Sequence, residues 1–156
     1  MTSTSEIDEY DRKILRALQE NADYSMAELG EKVGLSHTPC WRRIKRLEAD
    51  GIILNRVTLL DRHKLNLNVS LLAQISMTKH DQITRQSFEL AVLDIREIVE
   101  CYSTSGEKDY VLKIVVRDLA EYEELLKSKL LSLPGVASIS SNFALRQVKY
   151  TTELPL

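Results

Sequence analysis

The residues of this sequence with the clearest capacity for chemistry are cations grouped in one short segment. Residues 36–49 contain one acidic residue, Glu48, and four basic ones, Arg42, Arg43, Lys45 and Arg46. An arginine can bond guanine O6 and N7 together, and both arginine and lysine neutralise phosphates. The segment therefore indicates a nucleic-acid contact on a chain whose formal net charge is only −2. A solvated helix face is the alternative interpretation of the same charges.

Other chemistries have no support in the motifs. The three histidines are scattered, the two cysteines lack CxxC or CxxH neighbours, and there is no GxSxG, HExxH or phosphate-binding loop. We therefore expect a protein that is not an enzyme and needs no metal or cofactor.

The sequence also lacks signals for export or membrane insertion. Its N-terminus is polar and acidic, unlike a signal peptide, and no run of 18 apolar residues occurs. We expect no membrane partner and a cytoplasmic, nucleoid-associated protein.

Local signals predict two helices before the basic segment. Apolar residues at three- and four-residue steps predict a helix from about Asp8 to Glu20. Ser25 and Glu28 have the spacing of a capping box at the start of a short second helix. Gly34 can adopt the left-handed conformation that ends a helix, so a tight turn follows.

Pro39 is expected to begin a third helix rather than to break it. Either Ser36 or Thr38 can cap this helix, and both place Pro39 in the first turn, where a missing N–H costs little. The helical period then groups the apolar residues Cys40, Ile44 and Leu47 on one face. The opposite face carries Thr38, Arg42, Lys45 and Arg46, and the flanks carry Trp41 and Arg43.

Two helices joined by a tight turn, the second with a basic outer face, predict a helix-turn-helix that binds double-stranded DNA. Thr38 and Arg42 lie nearest the helix start and are the candidates for base contacts, whereas the other basic residues suit phosphates. The full set of predicted DNA-binding residues is Ser25, Ser36, His37, Thr38, Trp41, Arg42, Arg43, Lys45 and Arg46.

Three residues in this region have an alternative role. Ser25 can cap its helix without touching a phosphate, and Trp41 can pack against the first helix instead of a sugar. Cys40 can be a redox sensor at a helix N-terminus, but its position on the apolar face favours a core residue.

The remaining chain predicts a short wing and a second domain. The run IILNRVTLLD after Gly51 predicts one or two short strands, and residues 61–68 a linker strand. From Val69 the order is strand, helix, strand, strand, helix, strand, the pattern of the α+β ferredoxin-like fold. Gly106 is free to adopt φ > 0 in the hairpin, and Cys101 is expected in the core. The predicted domains are a winged helix-turn-helix domain over 1–60, a linker over 61–68 and a ferredoxin-like βαββαβ domain over 69–156.

These segments resemble a known family. The run IDEYDRKILRALQENADYSMAELGEKVGLSHTPCWRRIKRLEADGII resembles the DNA-binding domain of the Lrp/AsnC, or feast/famine, transcription regulators. TSGEKDYVLKIVV followed by LPGV resembles the effector domain of that family, and TPCW and VKYTTELP resemble a cysteine-responsive bacterial branch.

The resemblance implies dimers that pair through the C-terminal sheets, often assembled into octamers, and a small effector, usually an amino acid, bound near the hairpin. The Gly-x-x-Asp-Tyr pattern of the family falls on this hairpin, and the implied effector-binding residues are Ser103, Thr104, Ser105, Gly106, Asp109 and Tyr110. Asp109 can accept an α-ammonium group, although Asp109 and Gly106 can equally serve only to shape the turn.

The predicted function is therefore a sequence-specific, effector-modulated transcription regulator that acts as a homo-oligomer. Two alternatives are a nucleoid-type packaging protein without an effector and an amino-acid-binding or metabolic module. Competition by random DNA distinguishes the first alternative, and the effect of an Arg42→Ala substitution on function distinguishes the second.

Overall fold

A computed structural model describes residues 6–156. The chain divides into two compact units, which comprise residues up to Leu59 together with Lys149–Leu156, and residues Leu60–Val148. The prediction placed residues 149–156 in the second domain, whereas they group here with the first.

The first unit contains three helices: α1 (Glu9–Glu20), α2 (Met26–Val33) and α3 (His37–Ala49). Asp8 caps α1 and Ser25 caps α2, each through a reciprocal capping box. The apolar faces of the three helices form one core, whose buried members are Ile14, Leu15, Ala17, Leu29, Val33, Cys40, Ile44 and Leu47. The sequence predicted all three helices and their order correctly.

Residues 149–156 pack along α1 in an extended conformation. The Gln19 side-chain amide donates to the Leu154 carbonyl at 3.2 Å and accepts from the Leu154 N–H at 2.6 Å. Arg16 donates to the carbonyl oxygen of Leu156 at 2.8 Å. Both α1 side chains bind backbone atoms, so these contacts require no particular side chain in this segment.

The predicted wing strands and linker strand were wrong. Residues 52–68 contain no regular strand, and the apolar side chains of Leu54, Val57 and Leu60 are 71–82% exposed. A strand requires a hydrogen-bonding neighbour, and none lies beside this segment in the described part of the chain. Residues 61–68 instead form turns, in which Arg62 donates to the Leu67 carbonyl at 3.0 Å.

The second unit is a four-stranded antiparallel sheet with two helices on one face. Its elements are β1 (Val69–Met77), α4 (Gln82–Leu93), β2 (Ile98–Ser103), β3 (Tyr110–Val116), α5 (Leu119–Ser128), a 3-10 turn (Leu130–Ser132) and β4 (Val136–Phe143). The strand order is β2-β3-β1-β4. Alternate residues of β1 and β3 pack under Phe88 and Val92 of α4 and Tyr122 and Leu125 of α5. This is the predicted ferredoxin-like βαββαβ fold.

The expectation for Cys101 in this unit was wrong, and Gly106 does not use the conformational freedom that glycine allows. Cys101 is exposed because β2 is an edge strand that leaves it uncovered on one side. Gly106 is not among the residues with positive φ, so the hairpin forms without a left-handed residue there. Cys40, in contrast, is fully buried, and burial raises the pKa of its thiol, so it is a core residue rather than a reactive thiolate.

The turn between α2 and α3 depends on a close backbone approach at Gly30. A Cβ atom at this position would lie 2.6 Å from the carbonyl oxygen of Leu35. The Leu35 N–H donates to the Gly30 carbonyl at 2.9 Å, so the two backbones cannot separate without loss of that bond.

We predict that Gly30→Ala destabilises the first unit by about 1–3 kcal/mol, because the added methyl group overpacks the turn. Helix propensity alone predicts the opposite sign, since alanine favours a helix by roughly 0.5–1 kcal/mol over glycine. Chemical denaturation followed by circular dichroism measures the change. Gly106→Ala is the matched control, because its Cβ would meet nothing within 4 Å. A more stable Gly30→Ala protein would contradict the prediction.

Candidate nucleic-acid and effector sites

The α2-turn-α3 geometry is that of a helix-turn-helix. Gly34 ends α2 with φ 73°, as predicted. Ser36 occupies the N-cap position of α3, but its side chain makes no capping hydrogen bond. The helix therefore begins at His37, with Pro39 in its first turn, and the phase of α3 follows from that start.

The two faces of α3 differ sharply in burial. Cys40, Ile44 and Leu47 are at most 2% exposed and pack into the three-helix core. The exposed residues of the helix and its cap include Ser36, His37, Thr38, Trp41, Arg42 and Lys45. Trp41 is 47% exposed, so it is only partly packed against the protein. The face that carries the predicted base contacts thus lies in solvent.

Arg42 and Lys45 are the two cations on this exposed face. Arg42 makes no hydrogen bond or ion pair with a side chain among residues 6–156. Lys45 pairs with Glu48 of the same helix at 2.7 Å, and this contact lowers the pKa of the Glu48 carboxyl. An exposed pair of this kind contributes little stability, so Lys45 can exchange its carboxylate for a phosphate at small cost.

Arg43 and Arg46, in contrast, point toward α1. Arg43 binds Asp8 at 2.6 Å and Asp11 at 2.9 Å, and its guanidinium lies 5.5 Å from the Tyr10 ring centroid. Arg46 binds the other oxygen of Asp11. The hydrogen bonds to Asp8 and Asp11 raise the pKa of Arg43 further above its usual range. The sequence grouped both arginines with the phosphate contacts, but here carboxylates occupy them.

Ser25 is engaged as a helix cap. Its hydroxyl accepts from the Glu28 N–H at 3.3 Å, and Glu28 accepts from the Ser25 N–H at 2.8 Å. The Ser25 hydroxyl and N–H lower the pKa of the Glu28 carboxyl. The capping role predicted for Ser25 is therefore present, and the residue is also exposed.

The second cluster lies where β1 meets the β2–β3 hairpin. One carboxylate oxygen of Asp109 accepts from the Met77 N–H at 2.8 Å, and the other lies 3.0 Å from His80 Nδ1. The Asp109 N–H donates to the Ile75 carbonyl at 2.9 Å. The Asp109 side chain is 18% exposed and that of His80 is 63% exposed, so the imidazole covers the outer carboxylate oxygen.

Tyr110, the residue after Asp109, is buried and its hydroxyl is already bonded within the protein. Its side chain is 2% exposed, its ring centroid lies 4.6 Å from that of Phe88, and its hydroxyl donates to Glu89 at 2.7 Å. Burial, assisted by Glu89, raises the pKa of Tyr110 to about 12.

The hairpin residues themselves are exposed. Ser103 pairs with Tyr110 across the strands, and Thr104 donates from its backbone N–H to the Asp109 carbonyl at 2.9 Å. The Thr104 hydroxyl also bonds the Lys108 carbonyl. Ser105 and Gly106 lie at the open tip. Of the predicted effector residues, the structure therefore connects Thr104 to Asp109 by a hydrogen bond and pairs Ser103 with the buried Tyr110, whereas Ser105 and Gly106 make no hydrogen bond with the Asp109 carboxylate.

Sequence reasoning missed three polar partners: Asp11, His80 and Glu89. Asp11 stands 32 residues from Arg43 and Glu89 stands 21 residues from Tyr110, so no local pattern joins them. The one available signal was Asp11 itself, a charged residue between Tyr10 and Ile14 on a helix whose inward face is otherwise apolar.

Among residues 6–156, no group of three or more His, Cys, Asp or Glu side chains could hold a metal ion. Over the same range no helix has the length and hydropathy needed to cross a bilayer.

Comparison with known proteins identifies both units. Residues 7–53 match a winged helix-turn-helix DNA-binding domain, and residues 70–154 match the Lrp/AsnC ligand binding domain. The glutamate uptake regulatory protein of Zymomonas mobilis is 43% identical over 150 residues, which cover 96% of this chain and 91% of that protein.

Two solved structures are also similar over nearly the full length. The AsnC family transcriptional regulator from Agrobacterium tumefaciens is 45% identical, with a TM-score of 0.90 and coverage of 95% of this chain and 96% of that one. The transcriptional regulator NMB0573 from Neisseria meningitidis, solved as a complex with L-Met, is 35% identical, with a TM-score of 0.91 and coverage of 96% and 97%. The chain therefore belongs to the Lrp/AsnC family of effector-modulated, DNA-binding transcription regulators.

Proposed function

We propose that α3 reads a specific operator in the cytoplasm, with Thr38 and Arg42 at base edges and Lys45 at a phosphate. The observation that carries this proposal is the exposure of Arg42 without a protein partner, on the face opposite the buried Cys40, Ile44 and Leu47. The first turn of such a helix is the part that meets base edges in the major groove. Ser25, Ser36, His37 and Trp41 lie close enough in sequence to the two helix starts to line the same contact.

Arg42→Ala should weaken binding to the operator by about 1–3 kcal/mol and relax the preference at one base position, because a bidentate base contact is lost. Lys45→Ala is the matched control and should weaken operator and random DNA alike. The operator is first selected from a random duplex library with the purified full chain. Fluorescence anisotropy at fixed salt then measures both duplexes. Equal losses on operator and random DNA for Arg42→Ala would remove the base-reading role.

We propose further that the effector is an amino acid whose α-ammonium group binds Asp109. The L-Met complex of the similar Neisseria regulator supports this class of ligand. The outer oxygen of Asp109 already binds a cation-capable group, His80, at 3.0 Å, so an ammonium group would take the place of the imidazole. Ser105 and Gly106 are exposed at the tip of the hairpin, and their backbone N–H groups suit the α-carboxylate.

Asp109→Asn should abolish the effect of the amino acid on operator binding and leave binding without effector unchanged. Asparagine keeps an oxygen for the Met77 N–H but loses the charge that an ammonium group requires. A thermal-shift screen of the twenty amino acids identifies the ligand, since binding to the native state raises its stability. Gel shifts with that ligand then compare Asp109→Asn with Glu107→Gln, which removes a hairpin charge that is 91% exposed. A full response in Asp109→Asn would exclude the carboxylate as the ammonium ligand.

We propose finally that the chain acts as a homo-oligomer that pairs through the face of the sheet opposite α4 and α5. Strand alternation puts Leu72, Tyr102, Val111 and Val115 on that face, and Leu72 is 46% exposed. An antiparallel sheet with one apolar face left open favours association with a second copy.

Leu72→Glu should lower the molar mass of the protein in solution to that of a smaller assembly, because a carboxylate would be buried in the interface. Size-exclusion chromatography with light scattering measures the mass. Leu90→Glu is the control, because Leu90 is 66% exposed on α4, away from the sheet. An unchanged mass for Leu72→Glu at micromolar concentration would place the interface elsewhere.

A further inference from the structure

The DNA-binding unit contains a buried charge on α1 that the reading of DNA by α3 does not itself explain. Asp11 is 0% exposed, and it is the only polar or charged residue that is fully buried among residues 6–156. A carboxylate in such a place requires compensation by opposite charge and by hydrogen bonds.

Three donors provide that compensation. One oxygen of Asp11 accepts from Arg43 at 2.9 Å. The other accepts from Arg46 and from the backbone N–H of Asp8 at 3.1 Å. The Nε of Arg46 is buried and has no partner within the described residues, so this guanidinium is held at one end only.

The bonds to Asp11 divide the cations of α3 into two pairs. Arg42 and Lys45 are three residues apart and exposed, whereas Arg43 and Arg46 are also three residues apart and turned toward α1. The side chain of Arg43 is 26% exposed and that of Arg46 is 40% exposed, so both lie at the edge of the surface proposed to face DNA and not deep in the core. Released from Asp11, a side chain as long as arginine could extend toward DNA.

We propose that Asp11 is a positioning residue that limits non-specific binding: it holds Arg43 and Arg46 away from DNA phosphates and so limits the part of the binding energy that is independent of sequence. Phosphate contacts strengthen binding to every duplex, and base contacts strengthen binding to the operator alone. A carboxylate that occupies two of the four cations therefore lowers the affinity for every duplex, random DNA included. The inference rests on the proposed reading of DNA by α3.

The test is the salt dependence of binding by the full chain. Each phosphate contact steepens the plot of log affinity against log salt by about 0.9. Asp11→Asn keeps the size of the side chain and an acceptor for the Asp8 N–H. It releases Arg46 and leaves Arg43 with only its exposed partner Asp8. We expect its slope to steepen by about 1–2 on random DNA and on the operator alike, and its affinity for both duplexes at low salt to rise.

Two control variants isolate the cause. Asp8→Asn removes the exposed partner of Arg43 but leaves Asp11 in place, so its slope should match the unmodified protein. The triple variant Asp11→Asn/Arg43→Gln/Arg46→Gln should also return to that slope, because the released cations are gone. A structural defect alone would weaken both duplexes and would not steepen the slope. A folded Asp11→Asn protein with an unchanged or shallower slope would overturn the proposal.

A second measurement decides the matter even where Asp11→Asn does not fold. Arg43→Gln leaves Arg46 paired with Asp11, and the proposal requires its slope to equal that of the unmodified protein. Lys45→Gln should flatten the slope by about 0.9. Flattening by Arg43→Gln would show a phosphate contact and overturn the role of Asp11. Loss of effect in both Arg42→Ala and Lys45→Gln would instead remove α3 as the DNA reader, a distinct outcome.

Discussion

The rotation of α3 about its own axis is the constraint on which the DNA-binding unit depends. A shift of one residue in the helical phase rotates every side chain of α3 by about 100° about the helix axis. A shift of that size would bury Trp41 and expose Cys40. The rotation is fixed by burial of Cys40, Ile44 and Leu47 against the other two helices. Burial of three such side chains stabilises this orientation by several kcal/mol in order of magnitude. The exposed basic face is a consequence of that packing.

Electrostatics add a second constraint on the same helix. The ion pairs of Asp11 with Arg43 and Arg46 join α1 to α3, in addition to the apolar core between them. A buried ion pair is weak evidence for stability, because desolvation offsets much of its attraction, but it defines direction well. Apolar packing tolerates small rotations, whereas two guanidiniums on opposite oxygens of one carboxylate do not. Burial of the apolar core thus stabilises the helix-turn-helix, and the bonds to the Asp11 carboxylate restrict the rotation of α3.

Local signals in the sequence sufficed for most elements and failed where partners are distant. Capping residues, Gly34 and the helical period located α1, α2 and α3, because those signals act within a few residues. The strands predicted after Gly51 are not formed, because β-branched residues favour a strand only where a neighbouring strand can pair with it. Apolar residues of α4 illustrate the same limit, since Ile83, Leu90 and Leu93 are 66–79% exposed although their spacing suits a core.

The candidate sites show the same division. Exposure of Thr38, Arg42 and Lys45 followed from periodicity, and the hairpin around Asp109 followed from the resemblance. The bonding partners of Arg43, Arg46 and Asp109 could not be predicted from periodicity or from the resemblance. Each partner is distant in sequence and is brought close only by folding. A run of like charges in a sequence gives the number of cations but not the number available to a ligand.

The hairpin site has a physical route to the face of the sheet that we assign to assembly. Asp109 is bonded through its side chain to the Met77 N–H and through its backbone to the Ile75 carbonyl, so it is tied to β1 at two points. Its neighbour Lys108 reaches Ser76 at 3.3 Å, and strand alternation places Ser76 on the open face, opposite the buried Ile75 and Met77. A ligand that displaces His80 from Asp109 changes the charge balance at the end of β1. Because β1 is a central strand of the sheet, its residue Ser76 connects the hairpin to the face that we propose for assembly. Effector binding and assembly would then be linked through a few hydrogen bonds, as reciprocal coupling between two sites requires.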